Sequence, residues 1–184
     1  MKTFFPLLLL LFTLQAGAQK NTIAYDGSIR GGLLEGDNGS AFQLQTVNGI
    51  RYKTWSAGIG AGLDYYFARS LPVFLELRKS FGSSLKAPFV YAGGGYNFPW
   101  LKEEEKEWGF VEANGGLYAD AGIGYQIPVL KKSLLFFSLG YSQKAYERLQ
   151  SPPVWIDIYP SPPMPTYTYQ YNLRRISIKT GLRF

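Results

Sequence analysis

The 184-residue chain contains no cysteine and no histidine, which excludes disulfides, thiolate metal sites, Ser-His-Asp hydrolysis and the commonest metal ligand. Its aromatic content of 17 %, with 21 Gly, 14 Tyr and 13 Phe, favours many short strands over helices. The net charge of +6 comes from Lys and Arg dispersed along the chain, so no nucleic-acid partner is expected and anionic lipid head groups are the natural counterpart.

Lys2, the apolar run from Phe4 to Leu14 and Ala16-Gly17-Ala18 have the order of a cleavable export signal. The run is too short to span a bilayer, which needs about 20 apolar residues, and no later run is long enough either. Cleavage is expected after Ala18, with residues 19–184 forming one domain.

Beyond the signal, eight segments alternate apolar and polar residues with the period of a strand. The first, 22–34, sets Tyr25, Ile29 and Leu33 against Asp26, Ser28 and Arg30, and ends at the turn sequence Glu35-Gly36-Asp37-Asn38-Gly39. The second, 41–52, opposes Phe42, Leu44, Ile50 and Tyr52 to Gln43, Gln45 and Arg51. The third shows Trp55, Ala57, Ile59, Ala61, Leu63 and Tyr65 against Ser56, Gly58, Gly60, Gly62 and Asp64. No helix signal follows those glycines and their spacing is wrong for a dinucleotide-binding turn.

Pro72 opens the fourth segment, where Val73, Leu75 and Leu77 oppose Phe74, Glu76 and Arg78. The fifth, 88–98, is too glycine-rich for its faces to be read. The sixth, 116–127, sets Leu117, Ala119, Ala121, Ile123 and Tyr125 against Tyr118, Asp120, Gly122, Gly124 and Gln126, before an expected turn over 128–132. The seventh, 133–146, sets Leu135, Phe137, Leu139 and Tyr141 against Ser138, Gly140, Ser142 and Lys144. The eighth, 171–184, puts Ile176, Ile178, Thr180, Leu182 and Phe184 on one side and Arg175, Ser177, Lys179, Gly181 and Arg183 on the other.

One face thus carries Gly, Ser, Gln and charges of both signs: Asp26, Arg30, Arg51, Asp64, Glu76, Arg78, Asp120, Lys144, Arg175, Lys179 and Arg183. The other is apolar and edged by Tyr52, Trp55, Tyr65, Tyr125 and Tyr141. Two architectures fit such alternation. A soluble lipocalin-like barrel would turn the charged face to water, and a membrane barrel would turn it inward. Short connections after strands two, four and six and longer ones after strands five and seven match the inner turns and outer loops of outer-membrane barrels. The expected fold is therefore an all-β, eight-stranded, antiparallel up-and-down transmembrane barrel. Such a barrel is only wide enough for side chains, so a plugged interior is expected, with Glu76, Asp64 and Asp120 paired to Arg78, Arg175 and Lys179. The inward glycines are expected to make room for Arg and Tyr from across the interior.

A closing strand that ends on Phe184 resembles the C-terminal strand of bacterial outer-membrane β-barrel proteins, in which the terminal aromatic is part of the assembly signal. The whole of 19–184 is similar to the small eight-stranded barrels of the OmpX kind, and PVFLELR (72–78) with PFVYAGGGYN (88–97) resembles barrel proteins common in Bacteroidetes. The resemblance implies a Gram-negative outer-membrane location, surrounding lipid as partner, and handling by the barrel-assembly machinery through the terminal strand. It implies a non-enzymatic structural or surface-interaction role. The alternatives are a narrow transport barrel or one that binds a lipid or small ligand, and, behind these, an outer-membrane enzyme.

No catalytic residue, cofactor or metal site is expected, since the interior carboxylates have the interior cations to neutralise and the 102–107 charge run matches no calcium loop. A surface partner, if there is one, is expected at the longest outer loop through Trp155, Tyr159, Tyr167 and Tyr169. Segments 154–159 and 166–171 are expected to pair as a hairpin below a proline tip. Tyr167, Tyr169 and Tyr171 share parity with the interior residues, so a bulge near Arg174-Arg175 is expected to swap the faces there.

Overall fold

The computed structural model describes residues 23–82, 85–101, 110–130, 133–151 and 166–184; the expected signal lies outside them. Eight antiparallel strands follow one another round a closed barrel: β1 (Ile23–Gly36), β2 (Gly39–Tyr52), β3 (Trp55–Asp64), β4 (Ser70–Ser80), β5 (Ala87–Pro99), β6 (Phe110–Leu130), β7 (Ser133–Gln150) and β8 (Tyr167–Arg183). β1 pairs with β8 from Ser28↔Arg183 to Gly36↔Arg175, and Gly27 and Phe184 exchange backbone hydrogen bonds of 2.9 Å beyond the last pair. Closure leaves no strand edge, the condition for a sheet in hydrocarbon, where each unpaired backbone group costs several kcal/mol.

The apolar parity faces outward. Leu117 is 77 % exposed, Leu75 66 %, and Ile59 and Ile123 63 % each. Arg30, Asp64, Glu76, Asp120, Lys144, Arg175 and Lys179 are buried inside. This is the reverse of a soluble barrel, whose outer wall could not leave a continuous apolar belt in water. Tyr52, Trp55 and Tyr125 toward one rim and Tyr65 and Tyr141 toward the other lie exposed on that belt. In β5 the unread faces resolve: Phe89, Tyr91 and Asn97 point in, and Val90, Tyr96 and Phe98 point out.

The inward glycines serve neighbouring strands, not side chains from across the barrel as expected. Gly60 pairs with Phe74, Gly124 with Phe89 and Gly122 with Tyr91. A Cβ on Gly60 would sit 2.4 Å from the Phe74 ring, and one on Gly124 2.4 Å from the Phe89 ring. The Phe74 and Phe89 rings lie against the bare backbone of the next strand and the Tyr91 hydroxyl reaches Gly122, which fits three rings into a lumen that eight strands make narrow.

Register accounts for the remaining differences. β6 continues to Leu130, which pairs with Ser133, so the turn expected over 128–132 shrinks to the link between those two residues. The β7–β8 ladder runs from Leu134↔Arg183 to Gln150↔Tyr167 with no shift, so β8 has no bulge at Arg174-Arg175. The irregularities lie in β6, whose register against β7 slips between Phe110 and Glu112, between Gly115 and Tyr118, and between Pro128 and Leu130. Tyr167 and Tyr169 stay on the inward parity but are exposed, because here β8 has risen past the last residue of β1 that pairs with it. Segment 167–171 pairs with Tyr146–Gln150 of β7, which takes the place of the expected partner 154–159; the latter lies outside the described residues, as do Trp155 and Tyr159. The upper parts of β6, β7 and β8 thus form a three-stranded tongue above the rim.

The β3–β4 ladder skips Gly62 and Leu63 opposite Pro72 and Leu71, resuming at Asp64↔Ser70. Pro72 has no N–H to contribute there.

Candidate functional site

The interior is where the chain concentrates its chemistry, and its side chains fall into three tiers. At the end that carries both described chain ends, Arg183 donates from Nε to Asp26 Oδ1 at 2.5 Å and from Nη2 to Asp26 Oδ2 at 2.9 Å. Its remaining donors reach Gln126 Oε1 at 2.9 Å and Ser56 Oγ at 3.2 Å. Four strands (β1, β3, β6 and β8) are tied by one guanidinium, whose planar fork suits several acceptors at once. Arg51 shares the inward parity at this mouth, opposite Ser56, and has no ion pair among the described residues.

In the middle tier Glu76 forms an ion pair with Arg30 at 2.5 Å and accepts a hydrogen bond from Arg78 at 3.4 Å. Arg78 lies over the rings of Phe89 and Phe136, 4.4 and 4.8 Å from their centroids, and Arg30 over Phe74 and Tyr91. Stacking keeps these buried guanidinium faces favourably placed. Arg30 Nε also donates to Gln45, which donates to the Tyr118 hydroxyl, each at 2.8 Å. Tyr118 and Tyr91 both donate to Asp120 at 3.2 Å, and Lys179 pairs with the same carboxylate.

The outer tier is built on Asp64, which pairs with both Arg175 and Lys144. Arg175 donates to Ser142 Oγ at 2.7 Å. Lys144 Nζ also reaches the carbonyls of Tyr66 at 2.8 Å and Ala68 at 2.9 Å, and Ser70 Oγ at 3.0 Å. The β3–β4 connection, residues 65–69, therefore folds inward over the mouth as a strap. Tyr66 is buried against Leu34 and Leu173, its hydroxyl accepts from the Asn38 backbone N–H at 2.8 Å, and Phe67 (φ 62°) lies between Tyr146 and Tyr171. The sequence reading missed this strap. Its signal was available: Tyr66 and Ala68 continue the inward parity of Asp64.

Of the expected interior residues, Asp26, Arg30, Asp64, Glu76, Arg78, Asp120, Lys144, Arg175, Lys179 and Arg183 meet inside the barrel, and Arg51 stands apart at the mouth. Burying such charges is tolerable only because each carboxylate has its cation or cations. Among the tiers a void of about 10 Å³ lies between Asp26, Ser56, Glu76 and Arg78, room for about one water. Among the described residues no group of His, Cys, Asp and Glu is placed to hold a metal ion, and the buried carboxylates are all held by cations. The arrangement is suited to holding strands together.

Phe184 completes the seam: its backbone closes the last pair with Gly27, and its ring lies 6.5 Å from that of Tyr25 on the outer wall. Deleting Phe184 removes both hydrogen bonds and the outward ring while sparing every interior ion pair. The expected result is loss of folded protein from the outer membrane, read by heat-modifiable gel migration of membrane fractions. Unchanged surface levels would show that this residue has no part in assembly.

The fold has known counterparts. The structure is similar to the outer membrane protein OprG from Pseudomonas aeruginosa, with a TM-score of 0.58 at 15 % identity over 89 % of this chain and 98 % of that one. It is also similar to the outer membrane protein AlkL, with a TM-score of 0.57 at 10 % identity over 91 % and 92 % of the two chains. No protein-family model matches the chain, and no curated protein matches its sequence. At these identities the likeness is one of fold, that of a small outer-membrane β-barrel.

Proposed function

We propose that the chain is a non-enzymatic protein of the bacterial outer membrane, of the OmpX-like kind that its terminal strand resembles, acting as a structural and surface-contact element of the envelope. One observation carries this reading. Between the Arg183–Asp26 pair and the strap that Lys144 holds over the outer opening, the lumen is filled by paired charges and stacked rings. A barrel closed in this way offers its outer surface. The tongue of β6, β7 and β8 presents exposed Tyr167 and Tyr169 above the rim, a residue type that serves as a contact anchor. Reconstituted in planar bilayers, the folded protein is expected to give no steady current of porin size. Regular single-channel steps of that size would overturn the sealed lumen and favour transport.

A second reading, a barrel that takes up a lipid or small apolar ligand, draws on the gap in the β3–β4 ladder. Beside it the outer wall has an apolar recess of about 360 Å³ lined by Ile29, Leu44, Ala61, Leu63 and Leu71.

A further inference from the structure

The two rims differ in charge. Among the described residues the rim that carries the chain ends has Arg51, Lys53, Lys79 and Lys86, and its one side-chain carboxylate, Asp26, is held by Arg183. The opposite rim mixes Glu35, Asp37, Glu112 and Glu147 with Arg69, Arg148 and Arg174. The cationic rim also encloses a recess of about 330 Å³, lined by Arg51, Lys53, Thr54, Ser80, Leu85 and the Arg183–Gln126 floor.

Three features make this recess more than a basic surface. Four of the five N–H donors of Arg183 are taken by Asp26, Gln126 and Ser56, so it supplies positive potential at the floor without a free fork. Arg51 stands at the wall on the inward parity and has no ion pair among the described residues. Lys53 is fixed in the tight β2–β3 turn at φ 55°, and its ammonium lies 5.2 Å from the centre of the Tyr52 ring. Just outside, Lys79 lies over Trp55 and Phe81. Aromatic rings with cations beside them are the residues that settle at the level of lipid head groups. The mouth therefore sits where phosphodiester anions are concentrated.

We propose that this mouth is a binding site for the phosphate of an anionic phospholipid head group, with Arg51 and Lys53 as its principal ligands and the Thr54 and Ser80 hydroxyls within the same recess. The site rests on the membrane-barrel reading above, and through it on this rim facing the periplasmic leaflet; the binding itself is measurable whichever way the barrel is inserted. An arginine fork and a lysine point charge suit a phosphodiester oxygen pair. Each surface cation strengthens anionic-lipid attraction several-fold, so the pair corresponds to roughly tenfold or more in affinity.

The test is lipid retention by the full-length folded protein in micelles that contain equal phosphatidylglycerol and phosphatidylcholine, read by native mass spectrometry. One phosphatidylglycerol is expected to stay bound in preference to phosphatidylcholine. The Arg51→Gln, Lys53→Gln double variant is expected to lose at least tenfold of that retention, while Arg174→Gln at the other rim keeps it. Heat-modifiable migration establishes that each variant is folded, so an unfolded barrel is not mistaken for a lost site. Equal retention of the two lipids, or retention unchanged in the double variant, would overturn the proposal. Displacement of the bound lipid by millimolar inorganic phosphate supports recognition through the phosphate. Inorganic phosphate bound with no retained lipid would overturn the lipid as its source.

Discussion

Asp64→Ala is expected to destabilise the folded barrel by about 3–5 kcal/mol, the cost of leaving buried cations without their counter-charge. Asp64 is 1 % exposed and is the carboxylate shared by Arg175 and Lys144. Its Oδ1 also accepts from the Tyr66 backbone N–H at 2.9 Å, so the substitution frees the start of the strap as well. The urea midpoint of unfolding in lipid vesicles, followed by tryptophan fluorescence, measures the loss. Asp26→Ala is the comparison. Its side chain is 13 % exposed at a mouth that water reaches, where Arg183 keeps Gln126 and Ser56 as partners. The expected loss there is less than half as large. Equal losses at the two positions would mean that burial does not set the strength of these pairs. The same Asp64 variant is expected to loosen the outer mouth, because the lysine that anchors the strap would be held only by carbonyls and Ser70.

The second large effect concerns the ring-over-glycine packing. Gly60→Ala alone is expected to cost about 1–3 kcal/mol, since its Cβ would enter the Phe74 ring, which is itself held against Tyr118 at a centroid distance of 5.3 Å. Phe74→Ala alone is expected to cost about 3–5 kcal/mol through the cavity it leaves among Val47, Tyr118 and Arg30. Combined, the two are expected to be non-additive. In the Phe74→Ala background the new methyl group has open space, and replacing glycine in a strand then stabilises by about 0.5–1 kcal/mol. A double-mutant cycle with no coupling would show that the ring does not depend on the bare backbone beneath it.

Alternation made most of this barrel legible in the sequence. Each strand has one face in hydrocarbon and one in a confined polar space, so Leu117–Tyr118–Ala119–Asp120 reveals in four letters which residue points where. Glycine weakens that signal in β5, whose faces are set in the structure by Phe89 lying against Gly124 and Tyr91 pairing with Gly122. Tongue residues kept their parity but lost its meaning. Above the rim there is no lipid on one side and no lumen on the other, so Tyr167 and Tyr169 sit on the inward register and yet are exposed. Their parity alone points to a bulge in β8, whereas the slips in register lie along β6, the one between Gly115 and Tyr118 at the base of the tongue.

Charge partners mark the other boundary. That Glu76, Asp64 and Asp120 must each find a cation follows from the cost of an unpaired charge away from water, and needs only the sequence. Which cation each finds is set by strand stagger, which brings together residues as distant in the chain as Asp26 and Arg183 or Asp64 and Arg175. The sequence by itself determined the strand count and the two faces of each regularly alternating strand, because these depend on local periodicity. Only the tertiary structure decided that residues 65–69 turn inward to cover the outer mouth and that Arg51, among the described residues, has no ion pair at the other, because both depend on where the staggered strands bring distant side chains.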